Sequence, residues 1–260
     1  MPRWYSLDDG PMSGAQNMAR DEYIFNRVRG NPGQIILRTY SFEPPCISIG
    51  FHQNPEEVLD VEAVCSDGID LVKRITGGRA LLHHEEFTYC IAAGGQTDIF
   101  GAGLGETFTR ISEVLIEALN SLGVNASLSG GRKQQEGGAN SPCLASVSRY
   151  EITAEGKKIV GSAQRRWGPF FLQHGSVLRG RGSLKISRYL PGGWRDISEQ
   201  ITSLREQTGS DPGHEEIRKA VKGAFASLMG AEFERLDLSE SERDEIDCAA
   251  EGKSGIMERH

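Results

Sequence analysis

One cysteine and one lysine in the second half of the sequence have the residue types and the spacing needed for nucleophilic chemistry. Cys143 follows Pro142 in a polar, Gly-rich stretch, and Lys158 comes fifteen residues later. An unperturbed thiol is only a few per cent thiolate at neutral pH, so a nucleophilic cysteine needs a cation or a base nearby. If the fold brings the two side chains together, Lys158 supplies that cation and Cys143 can attack a polarised carbonyl.

The segment SRYEITAEGKKIVGSA predicts two strands around a Glu-Gly turn, and this hairpin decides where the lysine points. In that register Thr153 faces Lys158, and Glu151 faces Val160. Successive strand residues point to opposite faces of a sheet, so Lys158 lies on one face and Lys157 on the other. The hairpin therefore lets only one of the two lysines face the thiol, and the residues alone leave a pair of Cys143 with Lys158 as one of the possibilities.

The other four cysteines, Cys46, Cys65, Cys90 and Cys248, each lie within an apolar strand or helix pattern. A free cysteine in such a pattern usually acts as a small hydrophobic residue. The total of five is odd, the spacing is wide and there is no Cys-x-x-Cys pair, which argues against a disulfide framework or a zinc site. We expect reduced thiols, with Cys143 as the one exposed to reagents.

A Gly-rich segment, KRITGGRALLHHEEFTYC, contains a second chemical feature. Thr76 precedes two adjacent glycines, Gly77 and Gly78, and Arg74 and Arg79 flank them. Such a turn can direct backbone N–H groups at an anion or a polarised carbonyl, with the arginines adding positive charge. A Gly-Gly hairpin with incidental arginines has the same sequence, so the residues alone leave both interpretations open.

Two histidines and two glutamates follow this turn, but their spacing does not suit a metal. His83, His84, Glu85 and Glu86 are consecutive. Neighbouring residues of a strand point to opposite faces and cannot share one ion. We therefore expect no metal site and a structural or hydrogen-bonding role for His83.

Composition and charge restrict the class of protein. The chain has 260 residues, 38% hydrophobic and 25% charged, which is ordinary globular usage. Its formal net charge of -7 opposes nonspecific binding to nucleic acid. The apolar runs are too short to span a bilayer, and the start MPRWYSLDDGPMSG is neither a signal peptide nor a transit peptide. A cytoplasmic protein is expected, with neither nucleic acid nor membrane as a partner.

The predicted elements indicate an α+β fold with a mainly antiparallel or mixed sheet flanked by helices. Helices are predicted over 13–29, 55–68 and 106–122 and from residue 211 onward, with strands in adjacent pairs between them. Neither G-x-G-x-x-G nor the P-loop motif occurs. The last residues are weakly patterned. We expect a catalytic domain over 1–235 and a weakly structured C-terminal tail over 236–260.

Three segments together resemble the lipoate-protein ligase and octanoyltransferase superfamily: RITGGRALLHHEEFTY, PCLASVSRYEITAEGKKIVGSAQRR and LQHGSVL. The resemblance covers about residues 4–209 and is strongest to the octanoyltransferase subfamily whose cysteine lies upstream of the lysine. It implies a catalytic domain of the biotin/lipoate protein ligase fold. It places the family's cysteine on Cys143, its lysine on Lys158 and its Gly-Gly motif on Gly77 and Gly78.

The resemblance implies an acyltransferase of protein lipoylation, in lipoate biosynthesis. The donor would be octanoyl on the phosphopantetheine of an acyl carrier protein. Cys143 would attack this thioester, while Lys158 lowers the pKa of the thiol and stabilises the oxyanion. The acceptor would be a lysine of a lipoyl-domain protein, such as the glycine cleavage H protein or a 2-oxoacid dehydrogenase acyltransferase subunit. A thioester is already activated, so neither ATP nor another cofactor is expected.

The resemblance also implies an apolar slot for the acyl chain beside the strand that holds LQHGSVL. The residues expected to bind acyl group or substrate are Arg74, Thr76, Gly77, Gly78, Arg79, His83, Gly161, Ser162, Ala163, Gln173, His174 and Gly175. Two roles stay open for His174: a general base, or a strand histidine hydrogen-bonded to the backbone.

Three other functions use the same residues. An ATP-dependent lipoate ligase would bind an acyl-adenylate and would not need Cys143. An amidotransferase between two lipoyl domains would keep Cys143 as the nucleophile but would take a protein amide as the donor. A noncatalytic module would bind the acyl group or its carrier without forming an acyl-enzyme.

Overall fold

The computed structural model of the chain describes residues 2–95, 97–129, 151–191 and 198–254. The strands are β1 (Arg3–Met12), β2 (Gln34–Phe42), β3 (Cys46–Ile49), β4 (Asp70–Lys73), β5 (Leu81–His83), β6 (Glu86–Gly94), β7 (Ala126–Leu128), β8 (Ile152–Ala154), β9 (Lys157–Trp167), β10 (Phe170–Leu178) and β11 (Phe233–Arg235). The α-helices are α1 (Gly14–Gly30), α2 (Pro55–Val58), α3 (Val61–Ser66), α4 (Thr97–Phe100), α5 (Leu104–Ser121), α6 (Leu204–Thr208), α7 (His214–Met229) and α8 (Glu240–Ser254). Short 3₁₀ helices span Gly182–Tyr189 and Ser198–Gln200.

Eight strands form a mixed main sheet in the order β11-β1-β2-β6-β10-β9-β8-β7. β1 runs parallel to β2 and β11, and the other neighbouring pairs are antiparallel. All nine residues of β6 are buried, as expected for a central strand covered on both faces. The predicted α+β class with a mainly antiparallel, mixed sheet is confirmed.

A small sheet of three strands, in the order β4-β3-β5, lies beside the main sheet. The connection between β4 and β5, residues 74–80, contains Gly77 and Gly78 and is called the Gly-Gly turn below. Arg165 on β9 donates from Nη1 to the carbonyl oxygen of Ile75 at 3.0 Å. The turn therefore belongs to the small sheet but faces strand β9 of the main sheet.

Helices cover both faces of the main sheet. Ile91 of β6 packs in the core that α5 and α7 complete, whereas its neighbour Ala92 packs in the core completed by α1 and α8. This alternation follows from the two-residue period of a strand. Helix α1 begins where the sequence predicts, because Ser13 and Gln16 form a capping box. In the described parts of the chain, none of the helices has the length and apolarity to cross a bilayer.

The C-terminal segment is more ordered than its sequence pattern predicts. Residues 240–254 form helix α8, and Ile246 and Ala250 are buried in the core that includes α1. Leu236 and Leu238 lead into this helix and join the same core. The expectation of weak structure is therefore wrong for this part of the tail, because a few apolar residues suffice when a neighbouring helix covers them. The division of the chain at residue 235 stays a prediction.

Candidate active site

The β8–β9 hairpin presents Lys158 as predicted, but the register changes beside it. Thr153 pairs with Lys158, which confirms that part of the predicted register. Val160 pairs with Ile152, since the register shifts between Ile152 and Thr153. The predicted pairing of Glu151 with Val160 is therefore wrong. A bulge of this kind re-aims side chains, and Glu151 lies just outside the strand.

Lys158 is a fully buried lysine in an ion pair with Glu151. Its side chain is 0% exposed, and Nζ donates to Glu151 Oε1 at 2.6 Å. Lys157 points to the other face, is 38% exposed and lies 3.7 Å from Glu199. A buried ammonium requires a counter-charge, and Glu151 supplies it. Sequence reasoning missed this partner, although a carboxylate next to the strand that pairs with Lys158 was the available signal.

Arg74 holds the Gly-Gly turn in shape. Its guanidinium donates to the carbonyl oxygens of Gly77 at 2.9 Å, Arg79 at 2.8 Å and Ser48 at 2.9 Å. Gly78 has a φ of 96°, a conformation that favours glycine. Arg74 therefore clamps the turn to β3 through its hydrogen bonds.

A further glycine lets the turn approach β3 closely. A methyl group on Gly50 would overlap the carbonyl oxygen of Gly78. The N–H of Phe51 donates to the carbonyl oxygen of Thr76 at 2.9 Å. The carbonyl groups of the turn thus face the protein. Among the described residues, none accepts a backbone hydrogen bond from the N–H groups of Gly77 and Gly78.

A narrow cavity lies between the turn and strands β9 and β10. It has a volume of about 40 Å³. Its lining consists of Met18, Tyr40, Ser48, Arg74, Gly78, Leu81, His83, Thr88, Gly161, Ser162, Ala163, His174, Gly175 and Ser176. Eight of the twelve residues predicted to bind acyl group or substrate therefore meet at one cavity. Of the other four, Gly77, Arg79 and Gln173 lie next to lining residues in the chain, and Thr76 is hydrogen-bonded to the lining residue His174.

Tight packing shapes the wall of the cavity along β9 and β10. A methyl group on Gly175 would lie 2.6 Å from the carbonyl oxygen of Gly161 and 2.8 Å from the ring of Tyr89. The Tyr89 hydroxyl is 2.8 Å from Ser162 Oγ and accepts from Gln173 Nε2 at 3.0 Å. Burial raises the pKa of Tyr89 to about 12, so this hydroxyl stays protonated. Gln173 thus stabilises this wall through its hydrogen bond to Tyr89.

His83 is a hydrogen-bonded residue of the cavity wall. Its Nε2 lies 2.7 Å from Ser48 Oγ, and its Nδ1 lies 2.5 Å from Glu86 Oε1. Thr88 donates to the same carboxylate oxygen at 2.9 Å, and the ring of Phe42 stacks on the imidazole. The hydrogen-bonding role predicted for His83 is confirmed. The described part of the chain contains no group of three or more His, Cys, Asp or Glu side chains that could hold a metal ion.

His174 is hydrogen-bonded to side chains from two other elements. Its Nδ1 lies 2.8 Å from Asp21 Oδ2 on α1, and its Nε2 lies 2.7 Å from Thr76 Oγ1 in the Gly-Gly turn. Asp21 also accepts from Arg38 and Tyr40. The predicted alternative of a histidine bonded to backbone is therefore wrong. Both ring nitrogens have protein partners, which disfavours His174 as a general base for a substrate.

The four described cysteines lie in two kinds of environment. Cys46 and Cys90 are buried, and burial raises the pKa of both thiols well above the usual value. Cys65 and Cys248 are exposed, so the expectation that they act as buried hydrophobic residues is wrong. Cys143 lies outside the described residues, and so does its predicted proximity to Lys158.

Comparison with known proteins gives consistent results along the sequence. The family model of the lipoyl protein ligase A/B catalytic domain matches residues 13–226. The octanoyltransferase LipM of Kyrpidia tusciae is 34% identical over 258 residues, covering 94% of this chain and 93% of that protein. The octanoyltransferase LipM of Bacillus subtilis is 30% identical over 263 residues, covering 96% and 95%.

Solved structures share the fold at lower identity. A lipoate-protein ligase A bound with ATP superposes with a TM-score of 0.79 at 22% identity, covering 98% of this chain and 96% of that one. A chain from the lipoylation system of Thermoplasma acidophilum, a bipartite lipoate protein ligase and its E2 lipoyl domain, gives a TM-score of 0.73 at 21% identity, with 99% and 94% covered. From the matched family model and these full-length relatives, the chain belongs to the lipoyl protein ligase A/B catalytic domain family.

Proposed function

We propose that the protein is an octanoyltransferase, which moves an octanoyl group from a thioester donor to a lysine of a lipoyl-domain protein through a thioester on Cys143. The observation that carries this proposal is the 34% identity to an octanoyltransferase over 94% of the chain. The geometry supports it, because β9 holds the buried Lys158 and also lines the cavity with Gly161, Ser162 and Ala163.

The reaction has two steps, and Cys143 takes part in both. First, its thiolate attacks the donor carbonyl, a new thioester forms and the donor sulfur leaves as a thiolate. Second, the amine of the acceptor lysine attacks the acyl-enzyme, an amide forms and the Cys143 sulfur leaves. The attacking amine gives up its proton as the amide forms. Each step begins with a thioester, so the reaction consumes no ATP.

Lys158 and the Gly-Gly turn supply the electrostatic part of the mechanism. A cation beside a thiol favours the thiolate, and N–H donors aimed at the carbonyl oxygen stabilise the oxyanion. The family motif assigns its lysine to Lys158, and this lysine is buried. The N–H groups of Gly77 and Gly78 are the proposed remaining oxyanion donors, since no described residue accepts a backbone hydrogen bond from them.

The cavity is the proposed slot for the acyl chain. At about 0.8 kcal/mol for each buried methylene, an eight-carbon chain would gain roughly 5 kcal/mol of binding free energy. Met18 and Leu81 line the cavity, and a flexible methionine moves at low cost.

The proposed partners follow from this reaction. The donor is an octanoyl acyl carrier protein, and the acceptor is a lipoyl-domain protein such as the glycine cleavage H protein or a 2-oxoacid dehydrogenase acyltransferase subunit. We place the reaction in the cytoplasm, where acyl carrier protein and acceptor would both be available.

The test is incubation of the protein with octanoyl acyl carrier protein without ATP, followed by intact-mass analysis and peptide mapping. We expect one octanoyl group on Cys143, removed by hydroxylamine. Cys143→Ser should abolish transfer, whereas Cys65→Ser and Cys248→Ser should not, although both of these cysteines are exposed. An unmodified mass, or an adduct on either control cysteine, would contradict the proposal.

The same assay separates the other functions. A lipoate ligase would modify the lipoyl domain only when ATP and free acid are added, and Cys143→Ser would retain this activity. An amidotransferase would form the Cys143 adduct from an octanoylated lipoyl domain but not from the carrier protein. A binding module would give no covalent adduct with either donor.

A further inference from the structure

A chain of hydrogen bonds runs from helix α1 through His174 in the cavity wall to the Gly-Gly turn. We propose that Asp21 and His174 are positioning residues that act through Thr76 and fix the Gly-Gly turn relative to the main sheet. This inference rests on the proposed function, because the turn matters for catalysis only if Gly77 and Gly78 bind the reacting carbonyl. Asp21, His174 and Thr76 are called the relay below.

The protonation of the relay follows from its donors. Asp21 accepts from Arg38 Nη1 at 2.7 Å and from the Tyr40 hydroxyl at 2.8 Å, and it is buried. Burial opposes ionisation, but the hydrogen bond from His174 and the charge of Arg38 outweigh it and lower the pKa of Asp21. Asp21 is therefore a carboxylate. A carboxylate accepts only, so Nδ1 of His174 carries a proton.

The tautomer of His174 fixes the direction of the last bond. Burial lowers the pKa of His174 below its usual value, so the ring is neutral at neutral pH. With the proton on Nδ1, Nε2 is an acceptor. The Thr76 hydroxyl therefore donates to Nε2 across 2.7 Å. Thr76 is fully buried, which holds this hydroxyl in one geometry.

The relay joins two parts of the proposed site that lie on different sheets. Lys158 belongs to β9 of the main sheet, and the Gly-Gly turn belongs to the small sheet. Arg74 and the N–H of Phe51 fix the turn within the small sheet. These bonds hold the turn to the small sheet and do not join the turn itself to the main sheet.

In the described part of the chain, two side-chain hydrogen bonds connect the turn to the main sheet. Arg165 of β9 donates to the carbonyl oxygen of Ile75, and His174 of β10 accepts from Thr76. Arg165 is partly exposed and also lies over the ring of Phe51 at 5.0 Å. The relay is buried along its whole length, so it is the more rigid of the two links. Its loss should let the turn shift relative to Lys158.

The test compares two substitutions of Thr76 that differ in one group. Thr76→Val keeps the shape and removes the hydroxyl, and Thr76→Ser keeps the hydroxyl and removes a methyl group. A displacement of about 1 Å at a reacting centre can cost about 100-fold in rate. In single-turnover acylation by octanoyl acyl carrier protein, Thr76→Val should lower the limiting rate by about 10-fold to 100-fold, and Thr76→Ser by less than about threefold. Half-saturating donor concentration should change little in either variant.

A second readout depends on the protonation of His174. Below its pKa, Nε2 becomes a donor and the Thr76 hydroxyl turns to accept from it, so the rate ratio of Thr76→Ser to Thr76→Val should stay above one at acid pH. The groups that face His174 are common to both variants and cancel in this ratio: Asp21 on α1, Tyr40 on β2, Arg74 before the turn, His83 on β5 and Cys90 on β6. His174→Gln places an amide oxygen near the position of Nε2 and should be less impaired than His174→Ala.

The outcomes separate the relay from the proposed function. If the wild-type protein forms no acyl-enzyme, the proposed function fails. If the wild type is active but both Thr76 variants acylate at the same rate across pH, the relay fails while the proposed function stands. A Thr76→Val defect seen only as a higher half-saturating donor concentration would also overturn the relay, since it would indicate a binding role.

Discussion

Replacement of the buried Lys158, compared with its neighbour Lys157, tests the electrostatic part of the proposed mechanism. Lys158→Ala is expected to slow acylation of Cys143 by about 100-fold to 1,000-fold, the loss typical of one oxyanion-hole donor. The side chain is 0% exposed and its charge is 2.6 Å from that of Glu151. Water and salt screen such a charge little, although Glu151 offsets part of its field; under the proposed mechanism the remaining field acts on the Cys143 thiol.

Lys157→Ala is the matched control. Lys157 is adjacent in sequence, but it is 38% exposed and its partner Glu199 is 90% exposed at 3.7 Å. An exposed ion pair contributes about 0–1 kcal/mol to stability. Acylation by Lys157→Ala should therefore match the wild type, and the two lysines differ only in the face of β9 on which they lie.

Removal of Lys158 also leaves a carboxylate without its cation. Glu151 is 11% exposed in this pair, and breaking a buried ion pair typically costs about 3–5 kcal/mol of folding free energy. The double variant Lys158→Ala/Glu151→Gln removes both charges and should recover part of the stability but none of the acylation rate. Lys158→Arg should restore activity poorly, because a guanidinium is larger and planar.

The assay is single-turnover acylation by octanoyl acyl carrier protein, read by intact mass, with thermal unfolding of each variant as the folding control. Alkylation of Cys143 by iodoacetamide should move its midpoint to higher pH in Lys158→Ala, since the thiol loses a neighbouring cation. Wild-type rates in Lys158→Ala would refute the assignment. A larger defect in Lys157→Ala would contradict the assignment of the reaction to the face of β9 that carries Lys158.

Three further predictions concern the fold around the site. Folding lowers the pKa values of His174 and Asp21, so the unfolded chain binds more protons than the folded chain. The free energy of unfolding should therefore fall below pH 6.5 and again below pH 3.8, the ordinary pKa values of the two groups. A flat pH profile in urea unfolding would contradict this. Gly50→Ala should impair acylation and cost about 1–3 kcal/mol in thermal unfolding, because its methyl group would overlap the carbonyl oxygen of Gly78. Ile246→Ala should cost about 2–5 kcal/mol, since Ile246 is 1% exposed, and an unchanged melting temperature would show that α8 is not docked.

The sequence predicted an element well where its hydrophobic residues recur with the period of a helix or a strand. The residues of α5 that recur at helical spacing, such as Ile111 and Leu115, are buried in the core. The turn between β8 and β9 fixed the pairing of Thr153 with Lys158. Such features depend on residues a few positions apart, so a single sequence contains the information.

Features that depend on distant residues or on local irregularity were missed. A bulge separates Glu151 from Val160, and no pattern in the sequence marks it. His174 and Asp21 are 153 positions apart, so only the tertiary fold brings them together. Helix α8 is weakly amphipathic in sequence and is stabilised by packing near α1. In each case hydrophobic periodicity, which compares residues a few positions apart, does not reveal the partner.

The placement of Arg74 bears on how this member of the family recognises negative charge. Its Nε and Nη2 donate to Gly77, Nη2 also donates to Arg79, and Nη1 donates twice to Ser48. A guanidinium has five N–H donors, and these five bonds engage all of them. Arg74 keeps its positive charge in these bonds but directs its donors at carbonyl and hydroxyl groups of the protein. Under the proposed mechanism, the N–H groups of Gly77 and Gly78 are therefore the hydrogen-bond donors that the turn offers to the oxyanion of a thioester intermediate.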